Sequence, residues 1–259
     1  MNRRVAAIAG AGWIICLAVV LGFSLPSSAQ DQALSAQEIL DKVDDLYRGE
    51  SSHGKMSMTI VTAHWTRTLR LEFWNKGKDK SLIRILAPEK EAGTATLRVG
   101  NEIWNYLPKV NRVIKLPSSM MSASWMGSHF TNNDLVKESR FTEDYTFEKG
   151  FEGAREGVQV IEIDCRPKPE AAVVWGRVAV AVRQGDYLPL ESKYYDEDLN
   201  LARTMTFSRI QEMTGRTMPT VMTVVPADKP EEKTVVDYEE IAFDLDLSDE
   251  VFSLRQLKK

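Results

Sequence analysis

Two hydrophobic rhythms divide this chain. Over residues 30–50, Ile39, Leu40, Val43, Leu46 and Tyr47 recur at helical spacing. Ser35, followed three residues later by Glu38, has the form of a capping box, and Arg48-Gly49 supplies a terminal cation and a C′ glycine. The spacing predicts an amphipathic helix whose apolar stripe lies on a concave sheet. From residue 51 the period becomes two. Met56, Met58 and Ile60 alternate with Ser57, Thr59 and Val61, and Trp65, Arg67, Leu69, Leu71 and Phe73 share one face of the next run. Further strand-like runs follow at 81–86, 94–99, 102–107, 112–116, 158–166, 173–183, 188–196, 201–210, 217–225 and 234–242. An extended segment is expected at 139–148, with turns over 149–153. A short helix is expected at 132–137, capped by Asn132 or Asn133. Another follows Ser248, packing Val251, Phe252 and Leu254 onto the sheet. The breaks are short, so the pairing should be antiparallel. The fold class is mainly β with flanking helices. About ten or eleven strands in one sheet accumulate twist, so the sheet closes or curls into a trough.

Residues 94–128 stand apart. Three strand-like runs are followed by Met120, Met121, Trp125 and Met126 among Ser, Ala and Gly, with no charge between Lys115 and Asp134. Core packing or an ordered loop accounts for such a segment. So does a movable cover over an apolar hollow, for which flexible methionine is suited.

Composition fits a globular chain: 259 residues, 43% hydrophobic and 27% charged, with 33 basic against 37 acidic residues. Neither half is strongly basic, so nucleic acid is not an expected partner, nor does a general positive field draw the protein to anionic lipid. At the N-terminus, Arg3 and Arg4 precede an uncharged apolar run, and Ser27-Ser28-Ala29 offers a cleavage site. Residues 1–29 are therefore read as a signal peptide cleaved after Ala29, leaving a single exported domain over 30–259. An uncleaved membrane anchor is the alternative. Cleavage removes two arginines and no acid, taking the net charge from −4 to −6. Cys165 then remains as the one thiol, on the apolar face of its strand with Ile161 and Ile163.

Catalytic chemistry finds little footing. His53, His64 and His129 lack metal-ligand spacing, and no triad, phosphate loop or shared carboxylate site is visible. Neither enzyme activity nor a cofactor or metal is expected.

The phrase Ile103-Trp104-Asn105-Tyr106-Leu107-Pro108, with Asn111-Arg112-Val113-Ile114 after it, together with the leader, the first helix and the meander, resembles the outer-membrane lipoprotein-sorting protein family, the LolA-like proteins. The resemblance covers nearly all of the mature chain. It implies a strongly curved antiparallel sheet, an unclosed half-barrel with helices covering the concave face. It also implies binding of lipoprotein acyl chains or lipids for carriage toward the outer membrane. The classical carrier's lid arginine lies in the region of Arg67 or Arg70, but no motif aligns either, and the role is not carried over.

Burial of an acyl chain at roughly 0.8 kcal/mol per CH₂ supplies the driving force for such a role. The expected cavity and lid residues are Met56, Met58, Ile60, Leu69, Leu71, Trp104, Tyr106, Ile114, Leu116, Met120, Met121, Trp125, Met126 and Phe130. Arg112 is placed at the rim, toward a headgroup or partner. The expected function is a periplasmic carrier or chaperone making transient membrane contact, with an inner-membrane transporter as a possible partner. The alternative is a non-catalytic sensor or accessory module docked on an inner-membrane lipid transporter.

Overall fold

Thirteen strands pair into one antiparallel sheet that does not close into a barrel. In chain order they are β1 Ser51–Val61, β2 Thr66–Lys76, β3 Lys80–Ala87, β4 Ala95–Val99, β5 Glu102–Leu107, β6 Arg112–Lys115, β7 Tyr145–Arg155, β8 Val158–Pro167, β9 Arg177–Arg183, β10 Pro189–Tyr195, β11 Leu201–Met213, β12 Arg216–Pro226 and β13 Lys233–Phe243. The helices are α1 Ala36–Arg48, α2 Asn132–Lys137, α3 Phe141–Asp144 and α4 Leu254–Leu257. This computed structural model describes residues 34–137, 141–171 and 173–259. The assigned signal peptide lies outside the described residues. Among the described residues no helix is long and apolar enough to cross a membrane.

The topology is two meanders joined back to back. Strands β1 to β6 run outward in one direction, β7 to β13 return from the other, and β13 pairs with β1 in the middle. The free edges are β6 and β7. Register aligns the alternating apolar positions into one continuous face. Met58 sits opposite both Leu69 and Val236, Met222 lies between Val236 and Phe207, and Met205 is opposite Ser192. This row is the concave face, and α1 and the loop after β6 cover it.

Helix α1 forms as its sequence predicts. The Ser35 hydroxyl accepts from the Glu38 amide at 3.2 Å, and the Glu38 carboxylate accepts from the Ser35 amide at 2.8 Å. Gly49 ends the helix at φ 58°, and Arg216 donates to the Asp45 carbonyl near the negative end of the helix dipole. Ile39 and Leu40 pack on Ile163, Cys165 and Val180. Burial pushes the Cys165 thiol far above its ordinary pKa, so it behaves as a small apolar side chain.

Several expectations change in detail. Thirteen strands form rather than ten or eleven: each of the twelve expected runs contributes a strand, and 145–155 adds another by pairing with β8 on both sides of Gly150. Its glycines do not end the strand: Gly150 lies in the register shift between Lys149 and Glu152, where a bulge absorbs an extra residue. Helix α2 is capped by Thr131 rather than Asn132 or Asn133. The Thr131 hydroxyl accepts from the Asp134 amide at 3.2 Å, while the Asn132 side chain ties back to the Met120 and Ala123 carbonyls. The C-terminal helix splits into a 3-10 turn, Asp249–Phe252, and α4, because Ser253 caps anew.

Gly54 marks a close crossing of chains. A Cβ there would stand 2.2 Å from the Glu240 carbonyl and 2.8 Å from the Phe73 ring, beside the β1–β13 register shift. Gly54→Ala must displace backbone rather than a flexible side chain. The expected loss is about 1–3 kcal/mol of unfolding free energy, the range of an overpacked core, read by urea denaturation.

Candidate functional site

The concave face is covered in two parts. Helix α1 spans the β7–β9 side. The loop 117–131 and α2 cover the β1–β5 side. The loop is closely tied. Trp125, 4% exposed, enters the cluster of Met58, Ile60, Leu69 and Leu71, and its indole donates to Thr96 at 3.1 Å. Its amide donates to the Phe130 carbonyl, and Asn132 and Asn133 donate to the Ala123 and Met121 carbonyls. Met126 and Gly127 both take positive φ, which turns the Met126 carbonyl toward the Arg67 guanidinium. His129 is held by Thr234, at 3.0 Å from its amide and 2.8 Å from Nδ1.

Arg203 fastens this cover to the sheet. It projects from β11 in the row Arg203–Met205–Phe207 and is 4% exposed. Its guanidinium donates to both Asp134 oxygens, at 2.7 and 2.8 Å, and to the His129 carbonyl at 2.9 Å. The rings of Tyr194 and Trp175 stand 4.3 and 4.5 Å from its central carbon. Burial alone would weaken the guanidinium's hold on its proton. The Asp134 charge and hydrogen bonds outweigh that, and the pKa lies above its ordinary value. Asp134 also accepts from the Thr131 amide at 2.6 Å, so one carboxylate both caps α2 and binds β11.

Between α1, the cover and the sheet lie two adjoining hollows of about 150 and 130 Å³. Tyr47, Arg48, Phe130, Asp134 and Met222 line both, so these side chains form the partition. The first continues along Leu40, Val43, Val180, Tyr194 and Met205; the second along Met56, Met58, Ile83 and Trp125. Asp44 and Arg48, 3.4 Å apart, bring charge to the wall of the first. Burial raises the Asp44 pKa against the pull of Arg48. A 150 Å³ apolar cavity accommodates a benzene-sized guest, whereas ligand sites span roughly 300–1,000 Å³. As it stands each hollow is smaller than an ordinary ligand site. Only movement of the partition or the cover would join them into a larger one.

The expected site residues divide accordingly. Met56, Met58, Trp125 and Phe130 line the hollows. Ile60, Leu69 and Leu71 share the concave face but lie fully packed beneath Trp125, and Met126 packs against the same cluster. Leu116 packs with Ile103 and Met121 at the sheet's far margin. Trp104 and Tyr106 fall on the opposite, convex face, against Leu97, Phe252 and Leu257. Strand alternation requires this: Asn105 pairs with Ile114, so Trp104 and Tyr106 cannot share a face with Ile114 and Leu116. Ile114 and Met120 are 44% and 48% exposed, outside the hollows, and Arg112 is exposed at the hairpin. Sequence reasoning missed Tyr47, Arg48, Asp134, Trp175, Tyr194, Arg203 and Met222. The signal was present for some. The α1 stripe was recognised but not assigned to a site, and Arg203 interrupts a period-two apolar row. Among the described residues no cluster of His, Cys, Asp and Glu is placed to hold a metal ion.

A family model described as "Uncharacterized protein" matches residues 77–259. No curated protein matches the sequence. Among solved structures, a DUF1329 family protein from Desulfovibrio piger superposes with a TM-score of 0.78 at 25% identity, over 86% of this chain and 97% of that one. A putative outer membrane lipoprotein-sorting protein domain from Vibrio parahaemolyticus gives 0.76 at 23% identity, over 86% and 98%. A LolA superfamily protein from Nitrosomonas europaea gives 0.74 at 23% identity, over 86% and 100%. The fold is therefore shared: the chain belongs to the family whose model it matches, and its fold is that of the LolA-like, outer-membrane lipoprotein-sorting proteins.

Proposed function

We propose that this protein is a periplasmic carrier that takes acyl chains of lipids or lipoproteins into the hollow beneath its cover and does no covalent chemistry. The carrying observation is the pair of adjoining, largely apolar hollows, divided by the side chains of Tyr47, Arg48, Phe130, Asp134 and Met222 rather than by backbone. The sorting role named for the Vibrio relative agrees with this reading. Export through residues 1–29 and delivery toward the outer membrane complete it.

The physics sets a measurable signature. Each CH₂ that enters adds roughly 0.8 kcal/mol, or about a fourfold gain in affinity. In competition with a hydrophobic fluorescent probe, a series of fatty acids should tighten by about that factor per carbon, then level off once both hollows are filled. Mass spectrometry of freshly purified protein should find a long-chain lipid. A flat response to chain length, with no extractable lipid, would remove the carrier role.

A further inference from the structure

The β5–β6 hairpin differs from the rest of the surface. Residues 103–133 contain no Asp or Glu but include Lys109, Arg112 and Lys115, in a chain of net charge −4. The hairpin turns through a 3-10 turn, Pro108–Val110, closed by Asn111 at φ 47°. Its tip exposes Val110 at 59%, with Leu107 at 37% and Ile114 at 44% beside it. Leu107 pairs with Arg112 and Asn105 with Ile114, so Leu107, Arg112 and Ile114 lie on the concave side. Further along this row, Ile103 and Leu116 are covered by Met121 of the loop. An apolar strip thus runs from the exposed tip to the margin of the cover.

Nearby acids do not cancel the basic charge. Glu102 is paired with Lys115. The β3–β4 turn, whose Gly93 lies near Pro108, carries Glu89, Lys90 and Glu91, and Glu91 is engaged by Arg67 and Lys90. Among the described residues, no ion pair holds Lys109 or Arg112. Charged residues on an edge strand deter unwanted pairing, but that purpose does not call for an exposed Val110, Leu107 and Ile114.

We propose that this hairpin docks the protein on an anionic phospholipid bilayer. Val110, Leu107 and Ile114 enter the headgroup boundary, and Lys109 and Arg112 meet the phosphates. Charge complementarity selects the occupant: the protein as a whole is acidic, whereas this edge presents Lys109 and Arg112 outside any ion pair among the described residues. Size excludes an ordinary protein partner, because one hairpin tip offers far less than the roughly 800 Å² a side of a stable interface. A few basic groups and a few apolar side chains, each weak alone, add up at a membrane. Docking brings the margin of the cover to the bilayer. The proposal draws its purpose, but not its binding chemistry, from the carrier reading.

The test uses the chain from Gln30 onward, since the compact unit Leu34–Lys259 contains all thirteen strands. Sedimentation with vesicles of phosphatidylglycerol and phosphatidylcholine in equal parts is compared with phosphatidylcholine alone. Binding is expected to the mixed vesicles and to weaken with salt. Lys109→Gln with Arg112→Gln should reduce affinity about thirtyfold. Val110→Ser with Ile114→Ser should reduce it while retaining the electrostatic preference. All these positions are exposed, so the variants keep the fold. Equal binding by variants and parent, equal binding to neutral vesicles, or no binding at all overturns the proposal. So does a dimer abolished by Val110→Ser with Ile114→Ser in place of vesicle binding. Loss of probe and lipid binding in the hollow, with vesicle docking intact, would remove the carrier reading and leave the dock standing.

Discussion

Asp134→Asn is expected to lower the unfolding free energy by about 3–5 kcal/mol, the cost of leaving one member of a buried ion pair without its partner. The size follows from the surroundings. Arg203 and Asp134 side chains are 5% and 12% exposed, so water cannot replace the lost charge. The amide also turns a donor toward a guanidinium that needs an acceptor. The loss extends beyond the pair, because Asp134 fixes the first turn of α2 and Arg203 holds the His129 carbonyl. Hydrogen exchange at the amides of Trp125, Ser128 and Asn132 should therefore accelerate more than exchange in β1 or β13. Arg203→Met combined with Asp134→Leu tests the origin of the effect. Removing both charges should recover most of the stability, since buried pairs are often replaceable by apolar groups of similar volume. A single variant within about 1 kcal/mol of the parent would show that the pair does not fasten the cover.

The fold was legible because its signals are local and repeated. Period-two runs gave nearly every strand, and Ser35 with Glu38 gave the start of α1. The site was less legible, for physical reasons. Its residues come from α1, the loop after β6, α2 and strands of both meanders, β1 to β4 as well as β7 and β9 to β13, distant in sequence and brought together by the return of the second meander to β1. Alternation states which residues share a face, but not which face is concave. Trp104 and Tyr106 illustrate the gap: both suit a greasy wall, yet their register places them under α4. Arg203 illustrates another. An arginine in a strand reads as an edge or rim residue until a carboxylate is found to match it, and Asp134 lies 69 residues earlier. Met120 and Met121 belong to the cover, but Met120 faces outward at 48% exposure, so it is a poor place to test the hollow.

Phe130 is the better place. It lines both hollows from the cover, and its own carbonyl and amide are bonded within the loop, so a change at its ring alters the wall of the hollows while the loop backbone keeps its bonds. Phe130→Asp should weaken binding of long-chain lipid about a hundredfold. A carboxylate at the partition deprives three or four CH₂ groups of apolar contact, each worth roughly 0.8 kcal/mol. It also adds a desolvation cost that grows as the chain enters. Phe130→Leu separates chemistry from shape: it keeps an apolar wall and should stay within about threefold of the parent. Anchoring by Trp125 and Arg203 remains in both variants, so the cover should keep its place, which hydrogen exchange at the Trp125 amide and the melting temperature report. If Phe130→Asp is folded and binds lipid as the parent does, the acyl chain takes another route through the protein, and the hollows beneath the cover are not its berth.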